Sequence, residues 1–230
     1  MKLFKYGISL NRLKEEDIEL IRKWRNSKKI NQFMEYREEI TPEMQKKWFE
    51  SVNNNNNFYF IIEYKGEKIG LINTSKADYE DGSSEGGIFL WEEKYYETMV
   101  PVWASLLLLE TSIYVLQARK SYIKTLKDNE RAKKLNIHLG YELMDGQEDV
   151  YNQQYELTRE RFLEKSPKLI KAATMLAENN EDKRHYIFFD NKEIQSGLAD
   201  FMESKMDKEN IESVKETDEG RYFYVKTPGF

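Results

Sequence analysis

Between Ser84 and Leu116 the chain passes from a run too short and too rich in β-branched and aromatic residues for a helix into one too apolar to lie on a surface. Ser84-Glu-Gly-Gly-Ile-Phe-Leu-Trp91 reads as a buried strand. Glu92 to Thr98 is a polar turn, and Pro101 fits the first turn of the helix that follows, where a missing N–H costs nothing. Val102, Leu106, Leu109, Ile113 and Leu116 then recur at helical spacing. Lys120 to Leu126 alternates as a second strand, Asp128-Asn129 opens a helix on which Ala132, Leu135 and Leu139 share a face, Gly140 closes it, and Tyr141 to Leu143 is again extended. A strand that feeds a buried helix and returns as a strand requires a sheet with a helix packed across it.

The flanks supply the rest of that sheet. Ile8 to Leu13 alternates as a strand, and an acidic turn, Lys14 to Asp17, opens a helix carrying Ile18, Ile21 and Trp24. A short helix with Ile30, Phe33 and Met34 follows. Thr41-Pro42-Glu43 then starts another, with cap, first-turn proline and acid in order, whose buried face is Met44, Trp48, Phe49 and Val52. Beyond the polar run Asn53 to Asn57, Phe58 to Tyr64 and Lys68 to Asn73 form a hairpin about Lys65-Gly66-Glu67. Val150 to Leu157 is the last strand of this unit, Thr158 to Ser166 a helical exit, and Ser166-Pro167 a boundary. The remainder reads as helix (169–178), strand (185–189), helix (193–206) and hairpin (211–226). The expected architecture is therefore α/β (α+β): a mixed, largely antiparallel central sheet flanked by helices over residues 1–165, with a small C-terminal α/β appendage over 166–230.

Composition excludes several functions. The absence of cysteine rules out a disulfide framework, a thiolate zinc site and a Cys nucleophile. Two histidines far apart give no metal-ligand cluster, and no metal is expected. A net charge of −5 with both signs interspersed lacks the basic face that a nucleic-acid partner requires. No run of 18 apolar residues occurs, and no signal-type start, so the expectation is a soluble cytoplasmic protein with no membrane partner.

Asn129-Glu-Arg-Ala132-Lys-Lys-Leu135-Asn-Ile-His-Leu139-Gly140-Tyr141 resembles the helix-then-Gly-aromatic signature of the GNAT acetyltransferase superfamily, and the resemblance runs from Ile8 to Leu157. It implies acetyl-CoA as co-substrate, a small-molecule amine as acceptor, and leaves room for a homodimer. Ile21-Arg-Lys-Trp24-Arg25-Asn26, with Met34, Glu39-Ile40-Thr41 and Trp48-Phe49, is similar to GNAT enzymes that acetylate amino groups of nucleotide-linked deoxyamino sugars, and less closely to those acting on ribosomal-protein N-termini. On that likeness Trp24, Arg25, Asn26, Met34, Tyr36 and Trp48 are acceptor-side residues. Arg25 would serve as a planar donor fork for phosphate or carboxylate, and Trp48 and Tyr36 as flat surfaces for a base or sugar; or else Trp24 and Trp48 are core and Arg25 makes a structural salt bridge.

The family's cofactor turn carries glycines, whereas Tyr95-Tyr-Glu-Thr-Met-Val-Pro101 has none. Two readings follow. The turn is an ordinary helix start capped by Thr98, or the amides near Thr98, Met99 and Val100 still cradle a pyrophosphate at the positive end of the helix. Asn129 and Arg131 complete the implied cofactor set. Asn129 caps its helix or reaches the pantetheine arm, and Asn136, seven residues on and about 10 Å along the axis, shares its face. Direct transfer needs a base, an oxyanion donor and an acid. Glu85 is the base candidate, or else a solvated strand-end carboxylate. The amides of Phe89 and Leu90 are the expected donors. Many relatives place Tyr where this chain has Asn136, which hydrogen-bonds but cannot protonate a thiolate, so Tyr141 and Tyr95 are the candidate acids.

Overall fold

The computed structural model describes residues 1–177 and 184–226. Strand β1 (Lys2–Lys5) turns into β2 (Ile8–Arg12) through Tyr6 and Gly7, both at positive φ, the geometry of a tight two-residue hairpin. A 3-10 turn at Glu15–Asp17 leads into α1 (Ile18–Asn26), followed by α2 (Lys28–Asn31) and α3 (Pro42–Val52). The Thr41 hydroxyl accepts from the Met44 amide, as its cap position requires. The meander β3 (Phe58–Tyr64), β4 (Glu67–Asp78), β5 (Ser83–Leu90) precedes α4 (Val100–Glu110), which continues as a π segment, Thr111–Val115. Then come β6 (Lys120–Leu126), α5 (Glu130–His138), the short β7 (Glu142–Leu143) and β8 (Asn152–Thr158).

Two cores face opposite sides of the sheet, and alternation along the strands builds both. On β3, Phe58, Phe60 and Ile62 join the core beneath α4, while Ile61 points to a second core under α1 and α3, with Leu13, Ile21, Phe49 and Trp91. The α4 helix is buried almost all round, as its leucine run predicts. At its end Glu110 is fully buried and is bonded by both Lys5 and the Tyr6 hydroxyl, so a charge inside the core is met by a partner and a donor.

The chain beyond Leu157 differs from the sequence reading at two points. The helix expected to end at Ser166 runs unbroken as α6 (Arg159–Leu176) with Pro167 inside it. One missing backbone bond is offset by burial of Phe162, Ser166, Ile170 and Ala173 along one face. The helix expected over 193–206 is instead two, α7 (Asn191–Gln195) and α8 (Leu198–Lys205), broken where Gly197 takes φ 79°. Glu178, expected to end the helix before the strand at 185, lies outside the described residues. Strands β9 (His185–Asp190), β10 (Ile211–Thr217) and β11 (Gly220–Val225) add to the same sheet, β9 pairing antiparallel with β1. Among the described residues the order is β10-β11-β9-β1-β2-β3-β4-β5-β6-β8-β7. Every neighbouring pair is antiparallel except β5 and β6. None of the described helices is long and apolar enough to cross a membrane, and no group of His, Cys, Asp or Glu among the described residues could hold a metal ion.

Candidate active site

The parallel pair β5 and β6 holds register only from Ser83↔Lys120 to Gly86↔Ile123. Both strands continue, β5 to Leu90 and β6 to Leu126, but they diverge. The opening belongs to a cavity of about 1250 Å³ that passes from the turn before α4 and the start of α5, between the diverging strands, to a chamber under α1 and α3. This wedge is what tertiary structure makes of Gly86-Gly87. A Cβ at Gly87 would stand 3.1 Å from Asn73 Oδ1, against the chamber floor.

Backbone direction decides which amides face the opening. The Trp91 amide donates to Ile69 on the β4 side, and alternate residues of a strand point their N–H groups the same way. Phe89 therefore bonds towards β4, whereas Ile88 and Leu90 present theirs to the opening. Of the two expected donors only Leu90 is available, with Ile88 beside it.

The mouth is built from three elements. Arg131 at the start of α5 lies with its guanidinium 3.8 Å from the Tyr96 ring centroid and 5.6 Å from that of Phe33. Neither Arg131 nor Lys134, both lining the cavity, has an ion-pair partner among the described residues. The turn amides are less free. Thr98 N–H donates to the Tyr95 carbonyl and Val100 N–H to the Thr98 hydroxyl, so Met99, not Thr98, is the cap residue of α4. Met99 and Val100 lie off the cavity lining, Val100 in the core. A phosphate group at this mouth is therefore matched by the cations of α5 more than by the glycine-free turn, and the open β5 edge suits an amide-bearing arm. The residues present fit acetyl-CoA.

At the base of the wedge the Tyr141 hydroxyl lies 2.7 Å from Ser121 Oγ. Burial pushes this phenol up to about 12, the Ser121 contact pulling weakly the other way, so it is a proton-bearing group at neutral pH. Asn136 is buried and donates to Thr125 Oγ1 at 2.9 Å, and Asn129 caps α5 by accepting from the Ala132 amide. Both line the cavity. Tyr95 does not line it and bonds Glu67 instead.

Glu85 is not part of the lining. Both its oxygens lie 2.9 Å from Lys76 Nζ, on the outer part of the sheet where β4 bulges. The sequence reading took it as the base candidate at the start of the central strand, or else as a solvated strand-end carboxylate; partly exposed and paired with Lys76, it lies on the strand face opposite Ser84 and Gly86, which do line the cavity. On the acceptor side Arg25, Met34, Tyr36 and Trp48 line the chamber, while Trp24 and Asn26 do not. Trp24 stacks on Trp91 at 5.9 Å, and Asn26 makes reciprocal bonds with the Ile40 backbone that tie the 35–40 loop to α1. Residues the sequence reading missed complete the chamber: Gln45, Tyr59 and Asn73. Gln45 carried a readable signal, a polar side chain four residues before Phe49 on the apolar face of its helix.

Residues 8–142 match the family model described as Acetyltransferase (GNAT) domain. No functionally curated protein matches the sequence. Among solved structures, the chain is similar to apo FdhC, a nucleotide-linked sugar GNAT, with TM-score 0.61 and 21% identity over 74% of this chain and 97% of that one. It is likewise similar to the spermidine N-acetyltransferase from Vibrio cholerae in complex with CoA and spermine, with TM-score 0.59 and 18% identity over 68% of this chain and 98% of that one. A domain from Methanocaldococcus jannaschii gives TM-score 0.56 and 22% identity over 66% of this chain and 97% of that one. These identities speak for the fold, whereas the family match spans more than half of the chain and covers the strands and helices that form the wedge. The protein belongs to the GNAT acetyltransferase family and is an acetyl-CoA-dependent N-acetyltransferase.

Proposed function

We propose that the acceptor is a primary amine on a nucleotide-linked amino sugar, acetylated by direct attack on the thioester at the β5–β6 wedge. The observation that carries this reading is the continuous cavity, which lets two substrates meet at one point without a covalent enzyme intermediate. Trp48 and Tyr59, in edge contact at 5.0 Å, both line the chamber and offer aromatic surface suited to a base or sugar ring. The likeness to a nucleotide-linked sugar GNAT supports the same acceptor class.

In this scheme acetyl-CoA supplies the activated acyl group. Arg131 and Lys134 hold its phosphates, and the β5 edge at Ile88 and Leu90 binds the arm and offers N–H to the developing oxyanion. Tyr141, oriented by Ser121, gives its proton to the departing thiolate. The carboxylates that line the cavity, Glu35, Glu97 and Glu130, are all exposed, so the amine reacts from its deprotonated form; CoA leaves as the thiol with the Tyr141 proton, and the proton the nitrogen sheds on becoming an amide restores the Tyr141 phenol, directly or through solvent. The test is an acetyl-transfer assay with a nucleotide-linked amino sugar, spermidine and a peptide N-terminus as competing acceptors. Preference for the sugar supports the proposal, and preference for either of the others overturns it.

A further inference from the structure

The cavity does not end where the thioester would react. Its lining follows one face of α4 through Pro101, Ser105, Leu109 and Ser112, a span of about 16 Å from the first turn into the π segment. On β5 one side of the strand presents Leu90, Ile88, Gly86 and Ser84, and all four line the cavity. The helix crosses back from the end of β5 to the start of β6, antiparallel to both, so Pro101 belongs to the mouth and Ser112 to the far end. There β5 and β6 are still paired, at Ser84↔Ser121. The proposed scheme uses the β5 edge only as far as Ile88, and the strand from Ile88 to Ser84 spans about 13 Å more.

Small side chains keep this inner lobe open. The chain carries leucine from Leu106 to Leu109 and α4 is buried almost all round, yet the face turned to the cavity has serine at 105 and 112. Opposite them Gly86 has no side chain, and a Cβ there would meet Ile123 Cγ2 at 3.5 Å and Ser121 Oγ at 3.8 Å, ordinary contact distances. Interiors otherwise pack densely, because a void forfeits dispersion contacts along its whole lining. Space left by Ser105, Ser112 and Gly86 within a leucine-rich layer is therefore space for a ligand. Its walls are Leu108, Leu109, Ile123 and hydroxyls, with no charged side chain among the described residues. The charged residues of the cavity lining stand on α1, the 35–40 loop, the turn before α4 and α5, and at Lys124, which alternates to the other side of β6 from Ile123.

We infer that the lobe between α4 and the β5–β6 pair is an acyl pocket, and that the enzyme accepts as donors the CoA thioesters of neutral straight-chain acyl groups of up to about six carbons as well as acetyl. The inference rests on the acetyl-transfer reading and extends it from the acceptor to the donor. An arm laid along β5 from Leu90 brings the thioester carbonyl to the Ile88 N–H, and whatever the carbonyl carries is directed along the same strand towards Gly86 and Ser84. Acetyl ends one carbon past the carbonyl and leaves the lobe unfilled. The reaction is unchanged: the acceptor nitrogen bonds to the acyl carbonyl carbon, the carbon–sulfur bond breaks, the sulfur leaves with a proton, and the nitrogen sheds one as the amide forms. An acyl chain ending in a carboxylate is rejected, since that charge would lie among leucines and hydroxyls with no cation to meet it.

The experiment is calorimetric titration of the full chain, without acceptor, with CoA, acetyl-CoA, hexanoyl-CoA and adipoyl-CoA. Hexanoyl-CoA is expected to bind tenfold or more tightly than acetyl-CoA, because its further methylenes leave water. Adipoyl-CoA, with the same number of carbons and a terminal carboxylate, should bind at least tenfold more weakly than hexanoyl-CoA. Ser112→Leu fills the far end of the lobe and should abolish the preference for hexanoyl over acetyl while CoA itself binds within twofold of the parent. Gly86→Ala, whose added methyl finds room in the fold, should reduce the same preference and serves where the leucine variant does not fold. Mass spectrometry of an acceptor that the parent acetylates should show the hexanoyl product when hexanoyl-CoA replaces acetyl-CoA. The inference is overturned if hexanoyl-CoA binds no more tightly than acetyl-CoA, if adipoyl-CoA matches hexanoyl-CoA, if both variants keep the parental ranking, or if the acetyl product forms and the hexanoyl product does not. Titration with CoA alone keeps the two readings distinct. A chain that binds no CoA sinks the acetyl-transfer reading, whereas CoA binding with no ranking among the acyl groups sinks only the acyl pocket.

Discussion

Tyr141, just after α5, and Ser121 on β6 meet through their hydroxyls at 2.7 Å, beside the last paired stretch of β5 and β6. In the proposed scheme this pair serves the leaving thiolate, and Tyr141 lines the cavity. Tyr141→Phe is expected to lower kcat by about 10² or more, the usual span for a positioned acid, with the affinity for CoA unchanged. Because burial pushes the phenol up to about 12, its ionisation should cause no alkaline decline in rate below about pH 10. Steady-state kinetics across pH would decide. A Phe variant with more than a third of parental turnover removes Tyr141 from the chemistry.

Glu85 offers the opposite expectation. Its ion pair with Lys76 is substantially solvated, and such pairs contribute about 0–1 kcal/mol. Glu85→Gln should keep at least a third of the parental turnover, a change worth under about 1 kcal/mol in the barrier. With no carboxylate at the wedge, kcat/KM should rise with pH through the acceptor amine's own titration, equally in parent and variant. A hundredfold loss in the variant with CoA binding intact would restore Glu85 as the base.

Arg131 stacks on Tyr96 and has no carboxylate partner among the described residues. Arg131→Ala should weaken CoA by about tenfold, equivalent to ~1.4 kcal/mol, since a charge-assisted bond to phosphate is lost together with the stack on Tyr96. Titration with CoA and with a pantetheine fragment separates the causes. Equal loss for both ligands would show that the side chain acts on the arm or the fold and not on the phosphates.

His185 on β9 is buried, with one ring nitrogen 3.0 Å from the Thr111 hydroxyl. Desolvation, aided by the nearby Lys5 ammonium, holds its imidazole well below the usual value of 6.5. The unfolded chain therefore takes up a proton near 6.5 that the folded chain refuses. The stability associated with neutral His185 is complete above that pH and declines as pH falls towards the folded value, with a slope of up to about 1.4 kcal/mol per unit. Denaturant unfolding between pH 7.5 and pH 5 should show this decline, and His185→Gln should flatten it. An unchanged slope would assign the acid sensitivity to other groups.

The sequence alone determined the order of elements that makes the fold. The strand, the all-apolar α4 and the returning β6 follow from periodicity, because period and length distinguish a half-buried strand from a buried helix without knowledge of neighbours. Asn129 and Asn136 were legible as one helix face from their spacing, whereas Arg25 and Trp48 were named from the likeness to a family, which also named Trp24 and Asn26, and these two lie off the cavity. The tertiary structure decided what periodicity cannot carry. Local rules read Pro167 as a stop, but burial along α6 outweighed the lost bond, and pairing of β9 with β1 extended one sheet into the C-terminal strands. The point where β5 and β6 diverge opens the cavity between them. One residue beyond the last paired position brings in Gly87, and one before it leaves Glu85 with Lys76 on the outer surface. That Gln45, Tyr59 and Asn73 share one chamber became visible only there, since a cavity is a property of two helices closing over a sheet and of no single segment.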